Sequence, residues 1–482
     1  MINFRIIARV FSQVLIIEGI FMLVSGAVSW LYGEPAASSF LYSALITLVT
    51  GFLVFTPLRH EEKAYGTREG YILYTGIWIL FSLFGTLPYL FSSSATSFTD
   101  AFFESISGFT TTGATIFNDV ESLPKGILFW RSLTQWLGGL TIITLSFYVL
   151  PVVKSLNIQI STTGFSSQTT DKIHPKIVGV TKRLATIYVT LTLAGVLFLI
   201  IGRMPFFDAV CQSLSTLSTG GFSTRNDGMA AFSSPYLMTV ITLLMFFGGT
   251  NPTVFYFAYK RNARKISGNN EFGIYLIVAV SVSILVAFIL AISSDIPVFR
   301  ALQAGFFHVV SVITTTGYYT MDWNNWSYLL SVIVFILMFT GGMEGSASGG
   351  IKMIRLMIIV RNIRNETRRL IHPEAYLPVR IDKKIVQPNI VYNLLIFMIL
   401  YFMTVSAGAF ILSFFGYDVI TSFSTTASML ANIGPGIGNF GPFSDYSGMH
   451  SAAKWILSLL MITGRLELFA VIILVTGNFY KK

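Results

Sequence analysis

Thiols and charge are what this sequence is short of. A single cysteine, Cys211, among 482 residues excludes an intrachain disulfide. The five histidines, His60, His174, His308, His372 and His450, are scattered without the short spacings that assemble a metal site. No Gly-rich phosphate cradle and no nucleophile, base and acid pattern occurs, so enzymatic activity is not expected and no bound cofactor is implied. Charged side chains make up 11% of the chain against 53% hydrophobic ones, and the mean hydropathy is +0.69, which excludes the soluble globular class.

What is present is a series of long apolar runs. Ten are long enough to cross a bilayer at about 20 residues each, near 13–33, 38–57, 70–91, 126–152, 184–204, 235–259, 272–293, 326–360, 389–415 and 453–478. Four shorter stretches, near 98–110, 206–218, 299–313 and 419–431, are too short to span and read as re-entrant segments. The basic start, through Arg5 and Arg9, runs into the first span without a small-residue cleavage site, so it is expected to be retained.

Lysine and arginine orient these spans, because cytoplasmic loops carry their excess. Most of the 32, including Lys63, Lys154, Lys172, Arg261, Arg264, Lys265, Arg361, Arg364, Arg368, Arg369, Lys383, Lys481 and Lys482, fall on one side; Lys125, Arg203, Arg225, Arg300 and Lys454 fall on the other. Both termini are thus expected in the cytoplasm, with the short segments opening outward. Spread over every cytoplasmic loop, the net charge of +10 reads as a topology signal facing membrane lipid, and no nucleic-acid partner is expected. Acidic residues, among them Asp100, Glu104, Asp119, Glu121, Asp208, Asp227, Asp295 and Asp445, gather at the external ends, where a negative mouth would concentrate cations.

Each short stretch runs into a Gly-containing motif. Gly113, Gly221, Gly317 and Gly434 are spaced by 108, 96 and 117 residues, marking an internal repeat of four units. Phe-Thr-Asp-Ala-Phe-Phe-Glu-Ser-Ile-Ser before the first and Phe-Phe-Asp-Ala-Val-Cys-Gln-Ser-Leu-Ser before the second overlay without a gap. The organisation expected is all-α and integral to the membrane: a two-helix segment at 1–69, then helix, re-entrant pore loop and helix in each of 70–152, 153–260, 261–385 and 386–482, arranged pseudo-fourfold around one pore.

One Thr-Thr-Gly motif alone could be an external turn. Four in register imply a pore, since non-helical backbone at membrane depth must line water or be buried in protein. The ion-binding candidates are Thr111, Thr112 and Gly113; Thr219, Gly220 and Gly221; Thr315, Thr316 and Gly317; Asn432, Ile433 and Gly434. Glycine reaches positive φ at low cost, so such strands can present rings of backbone carbonyls in place of an ion's water shell. Carbonyls without fixed charge suit a large monovalent cation, and potassium is the expected substrate.

The second span of each unit carries a glycine mark, at Gly138-Gly139, Gly248-Gly249, Gly341-Gly342 and Gly464. Such marks serve either close helix packing or a break in the span. The third favours breaks, because Gly341 to Gly350, holding the candidates Gly345, Ser346, Ala347, Ser348 and Gly349, can hardly form a helix and is expected to obstruct the pore. Arg465, mid-span, is expected to pair with Glu344 or a loop carbonyl, or to act as a positive barrier.

The four Gly strands, Trp130 to Gly139, Gly349-Gly350-Ile351-Lys352, Asn432 to Gly438 and Gly464-Arg465-Leu466-Glu467-Leu468 together resemble the TrkH/TrkG/KtrB superfamily of potassium transporters, and the two leading spans resemble its TrkH branch. That resemblance implies potassium uptake across a bacterial inner membrane by a homodimer with a pore in each protomer. It also implies a cytosolic ring of TrkA-type nucleotide-binding subunits on the basic face, and a gate at 341–350 held shut by Arg465. Where relatives read Gly-Ser-Thr-Gly-Gly-Gly, this chain has Gly345-Ser346-Ala347-Ser348-Gly349-Gly350 after Met343-Glu344. The alternatives are a proton- or sodium-coupled potassium symporter, with Glu18, Glu344 or Glu467 as proton carriers, and the translocating subunit of a cation-pumping ATPase.

Overall fold

Apolar runs of this length close their backbone hydrogen bonds as helices, and a computed structural model of the chain shows where. It describes residues 2–59, 66–153, 173–232, 234–294, 296–382 and 384–479; Lys63, Lys154, Lys172, Asp295, Lys383, Lys481 and Lys482 lie outside the described residues. In chain order the helices are α1 Phe4–Leu31, α2 Ala36–Leu58, α3 Thr67–Phe84, α4 Leu87–Phe91, α5 Phe98–Phe109, α6 Lys125–Val153, α7 Ile173–Ile201, α8 Phe206–Leu217, α9 Pro235–Gly248 and α10 Pro252–Tyr259. They continue as α11 Ala263–Ser267, α12 Asn270–Ser293, α13 Val298–Ile313, α14 Tyr328–Leu337, α15 Met353–Ile371, α16 Pro388–Phe414, α17 Val419–Ala431, α18 Ser451–Arg465 and α19 Phe469–Val475. A short hairpin, Arg380–Ile381 with Lys384–Ile385, precedes α16.

Among the described residues six segments are long and apolar enough to cross a membrane: α1, α2, α3 with α4, the Gly179–Ile201 part of α7, α12 and α16. Two more would be bent pairs, α9 with α10 at 102° and α18 with α19 at 115°. The expected fourth span is α6, and the expected eighth is interrupted, α14 and α15 flanking the loop at 341–350. Exposed side chains such as Leu53, Leu193, Ile277 and Ile399 give the outer faces the apolar surface that lipid requires.

The four short stretches are the helices α5, α8, α13 and α17. Each packs on the long helices of its own unit, α5 on α3 and α6, α8 on α7 and α9, α13 on α12 and α14, α17 on α16 and α18. Three also pack on the second long helix of the preceding unit: α8 on α6, α13 on α9, and α5 on α18, which brings the last unit against the first. Phe81 and Phe109 stack with centroids 4.9 Å apart at the α3–α5 contact.

The α1–α2 hairpin packs on α3, α4 and α6. Its turn residue Glu34 accepts hydrogen bonds from the Lys125 and Gly126 N–H groups at 2.7 and 3.1 Å. A carboxylate there satisfies the free donors and the positive dipole end of α6.

The expectation that every second span breaks at its glycines fails in the first unit, where α6 runs continuously through Gly138 and Gly139. The reason is packing. A β-carbon on Gly138 would overlap the Phe109 carbonyl oxygen, and Gly248 and Gly464 sit likewise against the carbonyls of Leu217 and Leu430. In three units a second-span glycine therefore admits the carbonyl four residues before the strand glycine, at the end of a short helix. Chain breaks are a separate property of units 2, 3 and 4.

Candidate functional site

All four short helices end in the same way. The N–H groups of Thr112, Gly220, Thr316 and Ile433 bond back to the carbonyls of Ser107, Ser215, Ser311 and Ser428 at 2.8 to 2.9 Å. Those of Thr111, Thr219, Thr315 and Asn432 bond to the residue three earlier. This is the Schellman closure of a helix C-terminus, which puts its penultimate residue in left-handed backbone. The residues found there are Thr111, Thr219, Thr315 and Asn432, with φ of 54°, 56°, 56° and 59°. β-Branched threonine seldom adopts that conformation, whereas asparagine, found at 432 in the one unit with no threonine there, does so readily.

Two residues on, Gly113, Gly221, Gly317 and Gly434 are left-handed as well, at φ 81°, 83°, 77° and 101°. Each abuts the carbonyl oxygen of the next strand. A side chain on Gly113 would overlap the Gly220 oxygen, one on Gly221 the Thr316 oxygen, and one on Gly317 the Ile433 oxygen; Gly434 faces Thr112 at 2.5 Å from where a β-carbon would stand. The contacts run from unit 1 to 2 to 3 to 4 and back to 1. The four glycines line one cavity of about 100 Å³, with Tyr318, Tyr319, Tyr446, Asn118 and Asp445 also on its wall.

Buried side chains tie each seam of this circuit. Between units 1 and 2, Arg131 pairs with Glu104 at 2.7 Å and donates to the Thr115 hydroxyl and the Ser223 carbonyl, while Glu104 also accepts from the Ile116 N–H. Tyr318 donates to the Phe222 carbonyl and Gln212, Trp323 to the Gly436 carbonyl, and Tyr446 to the Gly434 carbonyl. Asn432 reaches the Thr112 hydroxyl at 3.0 Å.

The sequence places Glu104 among the mouth acids, but it lies fully buried behind the strand, because Arg131 on α6 meets it there. Asp100 and Asp208 are likewise engaged, by Lys454 and Arg225. Asp119 remains exposed, and hydrogen bonding from the Asn226 amide holds its carboxyl below the ordinary range.

On the side of the strands facing the short helices lies the segment from Gly341 to Gly350. A bridge between Thr340 and Ile351 and the bond from Gly341 N–H to the Ile351 carbonyl close its base. The loop touches three units. The Gly349 N–H donates to the Thr315 hydroxyl at 2.7 Å, those of Met343 and Ala347 to the Gly249 and Gly248 carbonyls, and the Asn251 amide to the Glu344 carbonyl. From the fourth unit Arg465, 3% exposed, donates to the Ala347 carbonyl at 2.7 Å. Of the partners expected for Arg465, the loop carbonyl is the one found. Ser346 and Ser348 share a hydrogen bond inside the loop, and Lys352 donates to the Ser348 carbonyl.

Glu467 is salt-bridged to Arg355. Among the described residues, one buried carboxylate oxygen of Glu344 and both of Glu18 have no hydrogen-bond partner. Tyr318, Trp323 and Tyr446 carry no signal in the sequence, because lone aromatic side chains in the connecting segments have no spacing pattern, and only the assembled strands reveal them.

Comparison with known proteins identifies the family. Residues 38–481 match the family model TrkH, described as cation transport protein. The chain is 32% identical to the Trk system potassium uptake protein TrkH of Salmonella typhimurium, over all of both chains. It is 33% identical to the Trk system potassium uptake protein TrkI of Halomonas elongata, over 99% of this chain and 97% of that one. The crystal structure of the potassium transporter TrkH from Vibrio parahaemolyticus superposes with a TM-score of 0.90 at 30% identity, covering 100% of each chain. With matched residues that take in the whole circuit of strands, the loop and Arg465, the chain belongs to the TrkH family of cation transport proteins.

Proposed function

We propose that this chain carries potassium into a bacterial cell across the inner membrane, through a channel-like pore. Ten spans, two leading and four pairs arranged pseudo-fourfold, surround it, and both termini face the cytoplasm. The observation that carries this reading is the closed circuit of strand carbonyls, each held beside the next unit's left-handed glycine.

In this reading Thr111 to Gly113, Thr219 to Gly221, Thr315 to Gly317 and Asn432 to Gly434 form the selectivity filter. The ion, as substrate, exchanges its water shell for backbone oxygens, which favours a weakly hydrated monovalent cation. The carboxyl ends of α5, α8, α13 and α17 stand behind the strands and turn the negative ends of their dipoles toward the ion. Gly345 to Gly349 act as the gate, and Arg465 holds them across the path through Ala347.

The activity is transport and not catalysis. Arg364, Arg368 and Arg369, exposed on α15, offer a basic face suited to a cytosolic TrkA-type nucleotide-binding regulator, and the assembly is a homodimer. Coupled symport is the second reading, resting on Glu18, whose buried carboxylate has no partner among the described residues.

The deciding experiment is rubidium uptake into liposomes holding the purified chain, with and without a proton or sodium gradient. Equilibration of rubidium without either gradient supports the channel-like reading; an absolute need for one gradient replaces it with symport.

A further inference from the structure

Strand 2 of the circuit lacks something its neighbours have. Before the ring glycine stand Thr112, Thr316 and Ile433 in units 1, 3 and 4, and Gly220 in unit 2. Gly220 is not among the residues with positive φ, so its backbone does not call for glycine. What excludes a side chain is Gln135 of α6: a β-carbon on Gly220 would overlap its carboxamide.

Gln135 is fully buried. Its NH2 donates to the Gly220 carbonyl at 2.6 Å, and its own carbonyl accepts from the Phe222 N–H at 3.2 Å. One carboxamide carries both a donor and an acceptor, so a single orientation satisfies both backbone groups. The Gly220 carbonyl is also the one that abuts Gly113. Among the described residues no side chain donates to the equivalent carbonyls of Thr112, Thr316 or Ile433.

We propose that Gln135 is a positioning residue for ion selectivity, a side chain of unit 1 that fixes the direction of one ring oxygen of unit 2. The proposal rests on reading the ring as a filter. Gly220-Gly221 is the strand with no side chain on either of two successive residues, and so the freest to let its carbonyl tilt inward around a smaller ion. Discrimination by carbonyls depends on how many oxygens converge and how far they yield. The amide of Gln135 supplies to strand 2 the restraint that residue bulk supplies to the others.

The test measures rubidium and sodium flux in liposomes holding the full chain, at matched amounts of monodisperse protein. Gln135→Met keeps length and packing while removing donor and acceptor; it lowers the rubidium-to-sodium flux ratio by about three- to tenfold, the worth of one hydrogen bond. If that variant does not fold, Gln135→Leu serves the same comparison. Gly220→Ala alone also lowers the ratio, because it collides with Gln135, whereas Gln135→Ala with Gly220→Ala restores it toward the parent value. Additive losses in the double variant, or an unchanged ratio in Gln135→Met and Gln135→Leu, overturn the proposal. Gly113→Ala separates the two levels: if it shifts the ratio while the Gln135 variants do not, only the role of Gln135 falls, and if it too leaves the ratio unchanged, the filter reading falls with it.

Discussion

Arg465 is held in place by little. Its Nη1 bonds to Ala347, its Nε and Nη2 have no hydrogen-bond partner among the described residues, and its guanidinium lies 5.6 Å from the Trp78 ring centre. A buried cation with one bond gains most of its local stabilisation from that bond, and a charge-assisted hydrogen bond contributes about 1.5 to 3 kcal/mol. Arg465→Ala is therefore expected to free the loop and raise rubidium flux roughly tenfold or more; a lower flux in folded protein speaks against the latch. Glu104 and Arg131 behave differently, being buried as a matched pair with every charge engaged. Removing one partner strands the other, at a cost of about 3 to 5 kcal/mol. Glu104→Gln is expected to lower the thermal midpoint markedly, and Glu104→Gln with Arg131→Met to recover part of that loss. Equal midpoints for the single and double variants would show that the pair is not coupled.

At the scale of elements, the sequence was legible where a physical period repeats. The four short helices lie within a few residues of the stretches read from apolar length, and all four glycines that the repeat marks are left-handed. The glycines of the second spans were ambiguous because one residue type serves two needs. Gly138 admits the Phe109 carbonyl inside a continuous helix, while Gly341 and Gly342 sit in a true interruption. Spacing along the chain does not reveal which side of a glycine is crowded. Glu104 was misplaced for a related reason: one helical turn decides whether an acid faces the mouth or α6, and Arg131, its partner, is 27 residues away. The loop itself has a base closed by the Thr340–Ile351 bridge, so shortening it leaves the α14–α15 connection in place. Deleting 343–348 removes the carbonyl that Arg465 holds and is expected to raise flux at least as much as Arg465→Ala does. Unchanged flux in protein that still elutes as a single species would place the obstruction elsewhere.

For the whole molecule, the circuit of strands joins residues hundreds of positions apart: Asn432 reaches Thr112, Tyr446 bonds to the Thr115 carbonyl, and Lys454 pairs with Asp100. Units 1 and 4 meet through these contacts and through α5 on α18. An ion seated among oxygens from all four units binds only when the circuit is closed, so it stabilises the folded chain by mass action and not the unfolded one. The expected gain is about 2.7 kcal/mol when potassium stands at a hundred times its dissociation constant. Thermal unfolding in detergent should thus shift upward with potassium or rubidium, and less with sodium at equal ionic strength. Gly434→Ala, which crowds the Thr112 carbonyl, should remove the difference between the ions while leaving the general effect of salt. The comparison discriminates because screening acts on the exposed charges whatever the cation, whereas only a site of defined size distinguishes potassium from sodium. Identical shifts for the two ions in the parent chain would mean that the carbonyl circuit is a structural closure and that selectivity is set elsewhere along the path.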